Sequence, residues 1–100
     1  MARVVLSAQA FADLERLEAF LHDTGDPLAA GLLDYVFDAL HVLTHQPGIG
    51  RPVDGGLREL IISRGRSGYL ARYHLDHVSQ GVSVLLIRHQ PEAGYAPGEV

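Results

Sequence analysis

The hydrophobic periodicity of this chain changes once, at Gln46-Pro47-Gly48. Before this tripeptide, apolar residues recur every three or four positions, which is the spacing of amphipathic helices. After it, they come in three short runs bounded by glycine or turn-forming residues, which is typical of strands. In a chain of 100 residues, either half alone is too short to bury a core. The sequence therefore predicts one domain, residues 1–100, in which helices pack on a small sheet.

The first half predicts a strand and two helices. Residues 3–6 form a short, apolar segment with the β-branched Val4 and Val5, and Ser7 can cap the helix that follows to about His22. Asp26-Pro27 starts a second helix, which runs to about His45, because proline at the first helical position loses no hydrogen bond. We expect the two apolar stripes to share one core: Phe11, Leu14, Leu17 and Leu21, then Leu28, Leu32, Leu33, Val36, Leu40 and Leu43. The residues between the apolar positions of the first helix are polar: Asp13, Glu15, Arg16 and Glu18.

The second half predicts three strands, Leu57–Ser63, Tyr69–Leu75 and Val82–His89, with residues 48–52 as a connector. The links between these strands are short, so neighbouring strands should be antiparallel. The predicted order is β-α-α-β-β-β, an α+β fold with a helical hairpin on one face of a mostly antiparallel four-stranded sheet. The other face would be free for a partner or substrate, and residues from about 91 to 100 form a tail.

Charge is distributed unevenly along the chain, whose formal net charge is -4. Residues 1–45 contain seven carboxylates and two arginines, whereas residues 46–90 contain six arginines and three carboxylates. The absence of cysteine excludes disulfides and thiolate metal sites, so a small core or a partner must stabilise the fold. No apolar run is long enough for a membrane span or a signal peptide. We therefore expect a cytoplasmic protein with no membrane association.

Three arginines are the most informative candidates, because Arg58, Arg72 and Arg88 fall one in each predicted strand of the second half. His89 and Tyr95 follow just beyond them. If the guanidinium groups converge on one face, they can bind phosphates or an acidic protein surface. The alternative is three separate side chains that are solvated or paired, for instance Arg58 beside Glu59 or Arg72 near Asp76.

Other candidate sites are weaker. His74, His77 and His89 match no known zinc spacing, and we expect no metal and no cofactor. Tyr69 and Tyr73 share one face of a strand and could stack on bases, but aromatic residues at this spacing usually pack in the core.

Several segments of the chain together closely resemble the ParE-type toxins of the RelE/ParE superfamily. The segments are Ala10–Leu14, the Gln46-Pro47-Gly48 linker, Gly50–Val53, Leu57–Ile61, Gly68–Tyr73 and Val84–Tyr95. The resemblance covers essentially the whole chain, and the order and spacing of the segments make it specific. It implies the toxin of a type II toxin–antitoxin system. It also implies a co-expressed antitoxin, ParD-like and of the ribbon-helix-helix class, whose C-terminal segment wraps the toxin.

The superfamily implies two possible activities. ParE-like members inhibit DNA gyrase without catalysis, whereas RelE-like members cleave mRNA in the ribosome, for which the resemblance would assign Arg58, Arg72, Arg88 and Tyr95 as catalytic. This chain has no lysine, and Pro91 stands where relatives often carry a basic residue. Its net negative charge also disfavours direct binding to nucleic acid. We therefore expect a gyrase inhibitor, with target contacts by Arg58, Arg72, Arg88, His89 and Tyr95.

Overall fold

The computed structural model describes residues 1–64 and 67–90. Strand β1 and helix α1 come first, and a second helical segment precedes four further strands. The strands are β1 (Val4–Leu6), β2 (Arg51–Val53), β3 (Leu57–Arg64), β4 (Ser67–Leu75) and β5 (Val82–His89). The α-helices are α1 (Ala8–Asp23) and α2 (Leu32–His41), and short 3₁₀ turns span Pro27–Gly31, Val42–Thr44 and Asp54–Gly56.

The strands form one sheet in the order β1-β5-β4-β3-β2. Strand β1 runs parallel to β5, and the other neighbours are antiparallel, so the predicted α+β class is confirmed. The predicted number of four strands is wrong, because Arg51–Val53 adds a fifth strand at the edge beside β3. Residues 48–52 were predicted as a connector, because a strand of only three residues is too short to show the hydrophobic alternation of a strand. Pro52 cannot donate a ladder hydrogen bond, which suits an edge strand.

The second helix is shorter than the sequence predicts. Instead of one α-helix from Pro27 to about His45, a 3₁₀ turn leads through Gly31 into α2, and a second 3₁₀ turn follows it. Glycine costs an α-helix about 1 kcal/mol relative to alanine, so the regular helix begins only after Gly31. None of the helices among residues 1–64 and 67–90 is sufficiently long and apolar to span a membrane.

The core lies between the helices and one face of the sheet. The predicted helix positions Leu14, Leu17, Leu21, Leu32, Val36, Leu40 and Leu43 are buried in it. Phe11 was predicted to belong to this stripe, but its side chain is 50% exposed. Asp13, which the pattern places among the polar positions, is buried at 2% exposure. The buried stripe of α1 therefore begins at Ala10 and Asp13.

Ser7 and Asp13 join α1 to β5. Ser7 is the predicted N-cap: its Oγ accepts a hydrogen bond from the Ala10 N–H at 3.0 Å and donates one to the Leu85 carbonyl at 2.9 Å. Asp13 Oδ2 accepts from the backbone N–H of Ile87 at 3.0 Å. Strand β1 ends opposite Val84 of β5. Beyond that point no other strand of the described residues pairs with this edge of β5, and Ser7 and Asp13 form hydrogen bonds with its backbone instead.

Candidate functional site

The register of the sheet assigns each predicted site residue to one of its two faces. Tyr69, Ala71 and Tyr73 are buried against the helices, so the residues that alternate with them in β4 lie on the opposite face. We call this opposite face the open face, although Leu70 on it is itself buried at 1% exposure. It carries Leu70 and Arg72 of β4 together with their ladder partners Glu59, Ile61, Leu86 and Arg88.

The three predicted arginines do not all converge. Arg72 and Arg88 lie on the open face in neighbouring strands, whereas Arg58 is paired with Tyr73 and lies on the helix side. Arg58 Nη1 donates to the carbonyl oxygens of Gly48 at 3.1 Å and Gly50 at 2.7 Å. Its guanidinium group therefore holds the loop that precedes β2.

A buried carboxylate organises the open face. Glu59 is only 5% exposed, and its Oε2 accepts two hydrogen bonds from Arg72, from Nε at 3.0 Å and from Nη2 at 2.6 Å. Glu59 Oε1 accepts a third, from Nη2 of Arg51 at 3.0 Å. We call this arrangement the Arg51–Glu59–Arg72 cluster. Arg51 was not predicted as a site residue, and the signal that could have identified it is its pairing with Glu59 across the β2–β3 ladder.

The acidic partner of Arg72 is therefore Glu59 of the neighbouring strand, whereas the sequence suggested Asp76. Asp76 Oδ1 instead accepts from the backbone N–H of Val78 at 2.9 Å and from that of Ser79 at 3.5 Å. These bonds stabilise the ionised carboxylate and hold the pKa of Asp76 below its usual value. Asp76 thus shapes the turn between β4 and β5.

The ionisation of Glu59 is set by two opposing effects. Burial raises its pKa, but the hydrogen bonds and charges of Arg72 and Arg51 outweigh burial and lower the pKa below the ordinary 4.5. A carboxyl whose pKa is lower in the folded protein than in the unfolded chain stabilises the fold when ionised. This stability is present above the unfolded-state pKa and is lost as the pH falls through the folded-state pKa.

Acid titration should therefore reveal the contribution of Glu59. We expect the difference in unfolding free energy between wild type and Glu59→Gln to shrink as the pH falls from the unfolded-state pKa of Glu59 through its lowered folded-state pKa, because the glutamate then becomes neutral like the glutamine. Urea unfolding at a series of pH values measures this difference. Glu15→Gln is the matched control, since Glu15 is an exposed carboxyl on α1. A difference for Glu59→Gln that stays constant with pH would contradict the assignment.

His89 lies away from the open face. It is paired with Tyr69, and the two rings are 5.4 Å apart between centroids with planes tilted by 59°. Both residues line a mainly apolar cavity of about 500 Å³. The other described lining residues come from α1 and the segment after it: Arg16, Leu17, Phe20, Leu21, Thr24 and Asp26. Tyr95 lies outside the described residues.

Tyr73 has a structural role that confirms the packing interpretation. Its ring is fully buried, and its hydroxyl donates to the carbonyl oxygen of Pro47 at 2.7 Å and accepts from the N–H of Gly50 at 2.9 Å. His74 and His77 are exposed. Within the described ranges, no three His, Asp or Glu side chains are placed to hold a metal ion.

The sequence model of the family described as "ParE toxin of type II toxin-antitoxin system, parDE" matches residues 4–94. Toxin RelE1 of Caulobacter vibrioides (strain ATCC 19089 / CIP 103742 / CB 15) is 38% identical over 87 residues, which span 86% of this chain and 90% of that protein.

Two solved structures show the same fold. The chromosomal ParDE toxin–antitoxin system from P. aeruginosa superposes with a TM-score of 0.69 at 20% identity, covering 89% of this chain and 96% of that one. The RelBE2 toxin–antitoxin complex from Mycobacterium tuberculosis gives a TM-score of 0.58 at 22% identity, with coverages of 88% and 96%. The five-stranded sheet with its helices on one face is thus an arrangement found in solved toxins of this kind.

Proposed function

This chain belongs to the ParE toxin family of type II toxin–antitoxin systems, and on that premise we propose that it inhibits DNA gyrase by binding to it. The observation that carries this proposal is the commitment of Arg58 and Arg72 to partners within the chain. Arg58 holds the carbonyl oxygens of Gly48 and Gly50, and Arg72 holds Glu59 with both Nε and Nη2. Guanidinium groups that are fixed by internal hydrogen bonds can still form contacts in a protein–protein interface.

Cleavage of RNA requires more of these residues than binding to a protein does. A ribonuclease needs cationic groups that follow the charge developing on phosphorus, and a group that transfers protons near neutral pH. The guanidinium of Arg72 is shared with a carboxylate, and Glu59 has a lowered pKa, which makes it a weak base. The net charge of -4 further supports a protein target over ribosomal RNA.

We also propose that the toxin works in the cytoplasm as a single domain and is neutralised by a ParD-like antitoxin of the ribbon-helix-helix class. The family membership supports an antitoxin partner, and the two solved relatives come from toxin–antitoxin systems. The open face offers such a partner the partly exposed side chains of Arg51 and Arg72. Identifying a reading frame for such an antitoxin beside the toxin gene would support this pairing.

The proposal is tested with purified toxin, gyrase, ATP and relaxed plasmid. We expect the toxin to block supercoiling or trap cleaved DNA, and we expect no new cuts when it is added to ribosomes programmed with mRNA. Arg88→Ala should weaken inhibition roughly ten- to a hundredfold, because one charge-assisted contact contributes about 1.5–3 kcal/mol. Arg3→Ala is the control, since it removes the same charge from the exposed Arg3 next to β1. Circular dichroism must show both variants to be folded.

The second candidate is a RelE-like, ribosome-dependent ribonuclease, and the name of the relative Toxin RelE1 is the observation that favours it. A ribonuclease that uses the phenol of Tyr95 for proton transfer should lose about a hundredfold or more in Tyr95→Phe. Codon-positioned mRNA cleavage that disappears in this variant, with unimpaired gyrase, would replace our proposal by this one.

A further inference from the structure

Two histidines lie side by side where α2 ends. His41 is the last residue of α2, and His45 directly follows the 3₁₀ turn Val42–Thr44. Both have right-handed helical dihedral angles. On helical backbone, residues four positions apart lie on the same side, with about 5–6 Å between their Cβ atoms. The two imidazole rings are accordingly adjacent, with centroids 5.9 Å apart and planes at 80° to each other.

The ring nitrogens of both histidines are available to a ligand. Both residues are exposed, and neither imidazole forms a hydrogen bond or an ion pair with another of the described residues. A neutral imidazole without a partner offers a nitrogen lone pair. Zn²⁺, Ni²⁺ and Cu²⁺ bind this donor well, whereas Mg²⁺ and Ca²⁺ prefer oxygen. The pair therefore has the chemistry of a transition-metal ligand.

The distance between the rings suits joint coordination of one ion. A metal–nitrogen bond of about 2.0–2.1 Å to each ring, at tetrahedral or octahedral angles, brings two ring centroids to roughly 4.5–5.2 Å from each other. The observed separation of 5.9 Å exceeds this range by less than about 1 Å. Small rotations of two exposed side chains remove the difference, so the backbone can stay as it is.

The end of α2 also favours positive charge. The last carbonyl groups of a helix carry partial negative charge, which stabilises a cation nearby. Asp38, which is exposed, adds a negative charge one turn before His41, although the described residues contain no group of three side chains placed to hold a metal ion. The protein thus supplies two ligands, and water fills the remaining positions.

We propose that His41 and His45 form a bidentate site for one divalent transition-metal ion of the Zn²⁺, Ni²⁺ and Cu²⁺ class. Once the first imidazole has bound, the second is held beside the ion at a high effective concentration. The ion would link the last turn of α2 to the loop that leads to β2, and it would stabilise the folded state in which the two rings are together. The inference does not depend on gyrase inhibition, because neither histidine lies on the open face.

The test titrates Zn²⁺ and Ni²⁺ into purified toxin without a polyhistidine tag, by isothermal titration calorimetry in a buffer that does not bind metals. We expect one ion to bind per chain. His41→Ala and His45→Ala should each weaken binding about ten- to a hundredfold, because a single imidazole loses the advantage of the chelate. Mg²⁺ should give no measurable binding.

His77→Ala is the matched control, since it removes an exposed imidazole from the turn between β4 and β5. It should change the dissociation constant by less than about twofold, because distant sites act independently. Circular dichroism must show each variant to be folded. If an alanine variant does not fold, His41→Gln or His45→Gln removes the ligand with a side chain of similar size.

Two further measurements localise the ion. Paramagnetic Cu²⁺ should broaden the amide NMR signals of residues 41–45 before those of the β4–β5 turn, and His45→Ala should abolish this order. Zn²⁺ should raise the Tm of the wild type and leave that of His45→Ala unchanged, because an ion that binds the folded state stabilises it.

Binding that survives in both folded variants, or that His77→Ala weakens equally, would overturn the inference, because the metal would then be an adventitious ion only. Loss of binding in His45→Ala with normal gyrase inhibition would support a metal site separate from the target surface. A wild-type toxin that binds Zn²⁺ as expected but does not inhibit gyrase would refute the proposed function and leave the metal site standing.

Discussion

Gly50→Ala should lower the free energy of unfolding by about 3 kcal/mol or more, which corresponds to a fall in Tm of roughly 12 °C or more for a domain of this size. A Cβ at Gly50 would lie 2.6 Å from the hydroxyl oxygen of Tyr73 and 2.9 Å from the backbone oxygen of Glu59. Tyr73 is fully buried, and its hydroxyl is held by Pro47. Neither neighbour can move without breaking other contacts, so we expect a large effect.

Gly48→Ala is the matched control for this prediction, because a Cβ there would meet no atom within 4 Å. It should change the unfolding free energy by less than about 0.5 kcal/mol. Chemical denaturation of both variants provides the comparison. Equal stabilities would mean that the loop between α2 and β2 is not packed as described.

Gly50→Ala should also change the arrangement of residues on the open face. Gly50 directly precedes Arg51, and its carbonyl oxygen accepts a hydrogen bond from Arg58 at 2.7 Å. Displacing this loop would move Arg51 away from Glu59. We therefore regard Arg58 and Tyr73 as residues that position the beginning of β2, since neither guanidinium nor phenol reaches the open face.

Much of the fold was predictable because the hydrophobic residues of its helices and strands recur with clear periods. The bounds of β5 are those predicted, and α1 differs at its end by one residue. Strand β2 was missed because it has three residues and a proline, and the edge pairing that defines it involves residues several positions away. The role of Arg51 was not predicted for the same reason, because its partner Glu59 is several positions away in the sequence.

The site was less predictable because it depends on register. Arg58 and Arg72 each lie in a predicted strand, but only the pairing of Arg58 with Tyr73 shows that they face opposite sides. Strand β5 adds a further complication, since Leu85 is an extra residue between the partners of Arg72 and Tyr73. Such a bulge reverses the alternation of faces and has no signature in the sequence here.

Asp13→Ala should also destabilise the protein strongly, by about 3 kcal/mol. The substitution removes a buried acceptor from the backbone N–H of Ile87, and it removes the bond that Gln9 Nε2 donates to Oδ1 at 2.9 Å. A buried N–H left without a partner costs about 1–3 kcal/mol, and the loss of a charged acceptor adds to this. Chemical denaturation measures the change, and Glu15→Ala on the exposed side of α1 should remain within about 0.5 kcal/mol of wild type.

Hydrogen exchange can localise this effect. If Asp13 takes the place of a neighbouring strand beyond the end of β1, its loss should accelerate exchange of the Ile87 amide more than that of β3 amides, which are paired within the sheet. Asp13→Asn keeps an acceptor oxygen and should recover most of the protection and stability. Uniform acceleration in Asp13→Ala, with no recovery in Asp13→Asn, would mean that Asp13 contributes by filling space in the core. The sequence pattern could not reveal this contact, because it joins residues 74 positions apart.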